Sequence, residues 1–404
     1  MRQTARIIST YSADTFGVCS ALFELGGMTV MHDASGCNST YTTHDEPRWY
    51  DMDSMVYISG LSEMEAIMGD DQKLVDDIVE AAKELKPAFI AVAGTPIPAM
   101  TGFDYESVAY VIEQETGIPA FGFATTGMNT YVQGASMALE AYARRFVEKK
   151  IEKTEHLSAN ILGLTPLDFS VNGTDASIEA FLQEAGFEVI SKWAMGSKPE
   201  ELEKAGKARV NLVVSATGLG VAKACKEMFG TPYVVGVPIS DPYKKDLQEQ
   251  LFQAAMGMEK EEAPKETALE KILREAALYQ EKIEGTAGER WCQETIGIVG
   301  EGVFSLSLAK AIERCTGKKA KVICATECEK GILREGDVEA MDEESIEVAL
   351  KGMKMVIADP LYQPICPENA DFISLPTESF SGRIYRKDIP NLTADFSGFL
   401  EKIR

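Results

Sequence analysis

The feature that most constrains this chain is one local pattern that restarts twice. A short apolar, β-rich run is followed by a turn and then by an amphipathic helix. In the first third the runs are MTVM, MVYIS, AFIAVAG and IPAFGFA. Between them, DQKLVDDIVEAAKELK places Leu74, Ile78, Val79, Ala82 and Leu85 at helical spacing. Gly117 ends the next helix before Ile118-Pro119 opens a strand. The pattern restarts near Asn160 with NILGL and near Thr295 with TIGIVGEG. Short, fully apolar strands alternating with helices imply parallel sheets covered on both faces. The expected fold class is therefore α/β, in three units with mostly parallel sheets. The expected domains are residues 1–155, 156–262 and 263–404, the last holding a connecting helix, the third α/β unit and a C-terminal segment. The breaks fall in the Lys/Glu-rich RRFVEKKIEKTEH and in the charged stretch from Met256 to Arg290.

At 404 residues and 45% hydrophobic, the chain can bury several cores of ordinary size. Its net charge of −23 argues against nucleic acid or an anionic membrane surface as a partner, since both carry negative phosphates. No apolar run of about eighteen residues offers a membrane span, and MRQTARIISTYSADTFG lacks the apolar core of a signal peptide. A cytoplasmic chain is expected, and its eight cysteines do not read as a disulfide framework.

Several motifs carry candidate chemistry. GIVGEGVFSLSLAKAI follows a strand and opens a helix; Gly300 and Gly302 match the first two glycines of a dinucleotide fingerprint, and Glu327 ends the following strand. Ser305 stands at the third glycine position, so no NAD(P) site is expected. There is no G-x-x-x-x-G-K-[ST] loop, and any ATP chemistry through such a loop falls to a partner. Cys324 and Cys328 form C-x3-C without a second pair or a nearby His, which favours core packing for Cys324 and an incidental Cys328. Cys225 and Cys315 lie in helical patterns and read as core; Cys366 is a loop residue with no visible partner, and His156 sits in a charged linker.

The junction TVMHDASGCNST differs from all of these. Between His32 and His44 the chain places two of its three histidines and, at Cys37, one of its eight cysteines, just where an apolar strand ends. The C-terminal end of a strand is where α/β sheets put ligands. Ser35, Gly36, Asn38, Ser39 and Thr40 are too polar for a cysteine kept only for packing, and their donors suit thiolate or sulfide acceptors. A ligand role for Cys37 and a plain turn role both stand at this point. The polar run from Asn38 to Glu46 is poorly suited to a monomer's core.

With these residues in hand, the chain resembles the nitrogenase component 1 family over most of its length. MHDASGC resembles the family's strand-turn HGxxGC, whose Cys ligates a bridging iron–sulfur cluster, and FGVCSALFELGG resembles the helix before it. The stretch from Gly60 to Pro119, then NILGLTP, LVVSATGLGVAKACKEMFGTPYVVG and IADPLYQPICPENADFISLPTESFSGRIYR, follow the family in order and spacing. The resemblance implies three Rossmann-like domains around a central cleft. It also implies an interfacial iron–sulfur cluster of [4Fe–4S] type ligated by Cys37 and by Cys19 or an oxygen ligand, or completed by a better-equipped related subunit. His32, Asp33 and His44 then lie beside it or serve in docking; a plain capping role for His32 is the alternative. As partners it implies a homodimer or a heterodimer with a related subunit, and a separate ATP-hydrolysing iron protein. The implied activity is that of a reductase subunit relaying electrons to an unidentified substrate. The alternatives are a non-catalytic metallocofactor- or tetrapyrrole-binding scaffold and a nucleotide-dependent α/β enzyme. The departures are specific. Ser12 and Thr95 stand at two family cysteine positions, His32-Asp33 replaces His-Gly, and no cysteine lies near Ala216–Thr217. Reduction of dinitrogen itself is not expected.

Overall fold

The computed structural model describes residues 5–36, 38–258 and 295–403. Cys37, and the connecting helix expected within 263–290, lie outside the described residues.

Three parallel sheets form, one for each restart of the pattern. The first, in the order β2-β1-β3-β4, contains β1 (Met28–Met31), β2 (Met55–Ile58), β3 (Ile90–Ala93) and β4 (Ala120–Phe123). The second, β6-β5-β7-β8, contains β5 (Ser158–Leu164), β6 (Glu188–Ala194), β7 (Val210–Val213) and β8 (Tyr233–Val235). The third, β11-β10-β9-β12-β13, contains β9 (Ile296–Gly300), β10 (Ala320–Cys324), β11 (Val338–Glu339), β12 (Met355–Ala358) and β13 (Asp371–Ser374). The central strands β1, β3, β5, β7, β9 and β10 are buried along their whole length. Helices on both faces allow this, and it explains why these segments read as unbroken apolar runs.

The helix Gln72–Leu85 shows how the sequence sets the packing. Leu74, Val75, Ile78, Val79 and Ala82 form one buried stripe against Met28, Val30, Ile90 and Val92. Leu85 continues the spacing but is exposed, because Lys86 turns left-handed and ends the helix there. The helices Asp14–Leu22 and Tyr131–Phe146 meet backbone to backbone. A Cβ on Gly17 would lie 2.0 Å from the Tyr131 carbonyl oxygen, and one on Gly134 would lie 1.8 Å from that of Asp14. Only glycine permits this approach.

Each sheet has one point where the strand order reverses: between β1 and β3, between β5 and β7, and between β9 and β12. The loops leaving the strands at such a point splay apart and leave a crevice, which places candidate sites before any side chain is considered.

Candidate functional site

The first crevice holds the turn after β1. His32 leaves the strand with its amide on the Ala93 carbonyl (2.9 Å). Its imidazole Nδ1 lies 2.9 Å from Ser59 Oγ, and its ring packs on Phe103 at 4.5 Å between centroids. Burial pushes the His32 pKa down to about 4, against the opposing pull of Asp33 and Glu65. The ring is therefore neutral at neutral pH, held inside the turn. Asp33 is also engaged: Thr95 Oγ1 donates to Asp33 Oδ1 (3.1 Å) and to the His32 carbonyl (2.7 Å), and Asn38 Nδ2 donates to Asp33 Oδ2 (2.8 Å). Ser35 (φ 99°) and Gly36 (φ 38°) then take left-handed backbone just before Cys37. For a serine that conformation is strained, a feature that clusters at ligand-binding turns.

The other expected ligand, Cys19, lies elsewhere in character. It sits on the helix Asp14–Leu22, 0% exposed, among Phe16, Phe23, Met31, Tyr41 and Val56. Burial, reinforced by the negative charge of Glu46, pushes its thiol far above the ordinary cysteine range. That environment disfavours the thiolate a metal requires. Ser12, at the family's first cysteine position, is buried with its amide on the Ser379 carbonyl (2.9 Å) and its carbonyl accepting from the Tyr131 amide (3.0 Å). Among the described residues, no group of three or more His, Cys, Asp or Glu side chains is placed to hold a metal ion. These residues do not by themselves fit an iron–sulfur cluster.

The polar run behaves differently from the expectation drawn from its composition. Tyr41, Asp45 and Glu46 are buried. Asp45 accepts from the Tyr11 hydroxyl (2.7 Å); for Tyr41 and Glu46 the reason is Arg48, which is 3% exposed. Its guanidinium donates to Glu46 Oε1 (2.6 Å), Glu24 Oε1 (2.9 Å), the Ser20 carbonyl (2.7 Å) and the Ala194 carbonyl (3.0 Å). Tyr41 donates its hydroxyl to Glu46 Oε2 (2.8 Å). Sequence reasoning missed this cluster, although the adjacent opposite charges in Glu46-Pro47-Arg48 were a usable signal.

The second and third crevices face each other. Glu301, between the two fingerprint glycines, caps the helix Gly302–Thr316. It accepts from the amides of Val303 (3.0 Å) and Phe304 (2.8 Å), and from Ala216 (2.9 Å) across in the second sheet's crevice. A carboxylate thus occupies the amides that would take a phosphate. Glu327 accepts from the Thr130 amide (2.8 Å) and hydroxyl, joining the third unit to the first. Asp168, after β5, accepts from the hydroxyls of Thr165 (2.6 Å) and Tyr131. Burial raises the pKa of both Asp168 and Glu301, and the negative charge of Asp168 raises that of Glu301 further. Glu378 accepts from Ser170 Oγ (3.1 Å) and Arg386 Nη2 (3.0 Å), and Arg386 also donates to the Asp45 carbonyl (2.9 Å). This buried acidic junction was not foreseen, because its members come from all three units.

The remaining cysteines fall as follows. Cys225 is core, its thiol pushed up to about 11 by burial. Cys315 is half-buried at the core's edge, and Cys366 is half-buried in its loop. The six described cysteines are free thiols.

The chain matches the family described as "Nitrogenase component 1 type Oxidoreductase" over residues 15–356. It is 27% identical over 241 residues to the nitrogenase iron-molybdenum cofactor biosynthesis protein NifE of Clostridium pasteurianum, covering 57% of this chain and 50% of that one. It is 27% identical over 187 residues to the nitrogenase molybdenum-iron protein alpha chain of Azospirillum brasilense, covering 45% and 39%. Against a subunit of the light-independent protochlorophyllide reductase of Chlorokybus atmophyticus the identity is 27% over 183 residues, covering 42% and 35%. The chain spans about half the length, or less, of these relatives. In fold it is similar to the solved structure "Nitrogenase Cp1 at pH 6.5", with a TM-score of 0.66 at 16% identity, covering 100% of this chain and 93% of that one. From the crevice after β1 to the sheets that build it, this chain belongs to the nitrogenase component 1 type oxidoreductase family.

Proposed function

We propose that this chain is a subunit of a nitrogenase-like reductase, relaying electrons from a separate ATP-hydrolysing iron protein to a substrate still to be identified. The observation that carries the reading is the placement of the turn after β1, residues 32–36, which leads into Cys37. It leaves β1 at the reversal point of the first sheet, among loops whose apolar side chains face solvent. Met64, Ile67 and Met68 follow β2, Ile97 and Met100 follow β3, and Met128 follows β4. Met100 is 87% exposed. Contiguous apolar side chains left in water are the mark of a surface that a partner covers.

In this reading the sheet edge meets a second subunit, a copy of this chain or a related one. Cys37 is then this chain's contribution to an interfacial cluster, and the remaining ligands come from the partner. Among the described residues, neither Cys19 in its apolar core nor Thr95 with its hydroxyl on Asp33 is a ligand of comparable quality. His32 and Asp33 fix the turn from inside. A soluble, cytoplasmic assembly is part of the proposal; among the described residues, no helix is long and apolar enough to cross a membrane.

Anaerobic co-expression with the product of an adjacent family gene tests this. Brown protein carrying iron and sulfide, lost in Cys37→Ala with the fold retained, supports it. If the chain holds no iron alone, reconstituted or with its partner, the reductase reading fails. The alternative, a scaffold for a metallocofactor or tetrapyrrole, then takes its place, and binding of such a compound by the iron-free protein is its test.

A further inference from the structure

The fold brings together two thiols that the sequence leaves unrelated. Cys324 ends β10 at the C-terminal edge of the third sheet, fully buried. Four residues later the chain curls back, and Cys328, half-buried, brings its sulfur to the same spot as the Cys324 thiol. Both sulfurs press on the first turn of the helix Gly302–Thr316. A Cβ on Gly302 would lie 3.1 Å from Cys328 Sγ and 3.3 Å from Cys324 Sγ. Gly302 has no left-handed backbone to explain it, so the closeness of the two thiols is what the glycine accommodates. The Cys324 thiol lies against the Thr326 carbonyl (3.4 Å) and hydroxyl (3.5 Å), and the Cys328 thiol donates to the Glu329 carbonyl (3.8 Å).

The loop that closes the pair is also an inter-unit tie. Glu327, between the cysteines, holds Thr130 of the first unit, and Glu329 pairs with Lys223 of the second at 2.6 Å. A bond between the sulfurs would draw on a segment that touches both other units.

We propose that Cys324 and Cys328 are a dithiol–disulfide couple, a redox site of the third unit separate from the Cys37 turn. Cys328 is the entry point, because Cys324 is closed to solvent. The oxidant is a low-molecular-weight disulfide, RSSR. The neighbouring Cys324 thiol and burial raise the pKa of the Cys328 thiol, so its thiolate is a minor species and the first step is slow. Once Cys328 loses its proton, the thiolate attacks one sulfur of RSSR, an S–S bond forms to Cys328, and RS⁻ leaves, taking up a proton. The Cys324 thiolate then attacks the Cys328 sulfur of the mixed disulfide, expelling the second RS⁻, which is protonated in turn. Two protein thiols are oxidised by two electrons and RSSR is reduced to two RSH.

Trypsin isolates the pair in one peptide, Val322–Lys330, which contains no other cysteine. The full chain is equilibrated anaerobically in mixtures of reduced and oxidised glutathione, quenched in acid, alkylated and digested. The expected result is a peptide about 2 Da lighter than its reduced form, the mass of the two hydrogens lost in the exchange, and closed to alkylation, its fraction following the glutathione ratio. Cys324→Ser should stop at the Cys328–glutathione adduct, whereas Cys328→Ser should leave Cys324 reduced. Two free, alkylated cysteines at every ratio would overturn the proposal, as would a glutathione adduct persisting at Cys328 in the wild-type chain. Circular dichroism of both serine variants confirms that they are folded. The readout involves no iron, so its failure and that of the reductase reading are distinguishable.

Discussion

Thr95 Oγ1 lies 3.1 Å from Asp33 Oδ1. The two positions depart from the family pattern separately in sequence, yet in the fold they are one change. At the two positions where the family motif it resembles has a cysteine and a glycine, this chain sets a hydroxyl against a carboxylate, and each satisfies the other away from water. Asn38 takes the second carboxylate oxygen, so the turn before Cys37 is braced by side chains.

Thr95→Val keeps the shape and removes the donor to both Asp33 and the His32 carbonyl. Leaving two buried acceptors short should cost about 1–3 kcal/mol, read as a lower denaturant midpoint with an unchanged slope. Combined with Asp33→Gly, the loss should fall short of the sum of the single losses by about 1 kcal/mol, the coupling of two groups in contact. Strict additivity would show that the contact contributes nothing.

Arg48 compensates two buried carboxylates at once and also ties the turn to the Ala194 carbonyl. Arg48→Ala strands Glu46 and Glu24 without their counter-charge and should destabilise the chain by about 3–5 kcal/mol. Arg48→Lys should recover only part of this, because one ammonium cannot reproduce the guanidinium fork. Guanidinium chloride unfolding of the three proteins at one pH makes the comparison.

The junction carboxylates set a pH dependence of stability. Burial raises both Asp168 and Glu301, with Asp168 also acting on Glu301. Unfolded carboxyls titrate near pH 4. Above about pH 4 the folded chain therefore binds more protons than the unfolded one, and stability falls as pH rises through the raised values. Below about pH 4 the contribution is fully present. Two hydroxyls stabilise charge on Asp168, and that charge pushes Glu301 up, so Glu301 is the seat of the retained proton. Removing the Asp168 charge removes both Asp168's own shift and its push on Glu301. Asp168→Asn should flatten the fall in unfolding midpoint between about pH 4 and pH 8. An unchanged profile would assign the slope to other groups.

Gly302→Ala should normally help a helix, by up to about 1 kcal/mol. Here the added methyl meets sulfur at 3.1 and 3.3 Å, and one of those atoms belongs to the buried Cys324. The expected net effect is a loss of about 1 kcal/mol or more, as for other overpacked positions. With Cys328→Ala in the background the crowding is relieved, and the same change should become neutral or stabilising.

The amino-acid sequence by itself determined the elements and their class. Unbroken apolar runs such as Ile90–Ala93, each bounded by an amphipathic helix, have no use except in a parallel sheet covered on both faces, and the sheets form where the pattern restarts. It also placed the Cys37 turn at a strand end, because the change from Met31 to His32 is abrupt and local. What only the tertiary structure decided is which polar groups became interior. Glu46 reads as solvated until Arg48 folds over it, and Asp168 and Glu301 become neighbours only when two reversal points face each other. Cys324 and Cys328 look like a spacing without partners until Glu327 between them is anchored to Thr130 and Glu329 just after them to Lys223. Apolar burial follows local periodicity, which a linear pattern records. Polar burial depends on finding a partner, and here most partners lie on other strands, sheets or units, joined by contacts that no local spacing encodes.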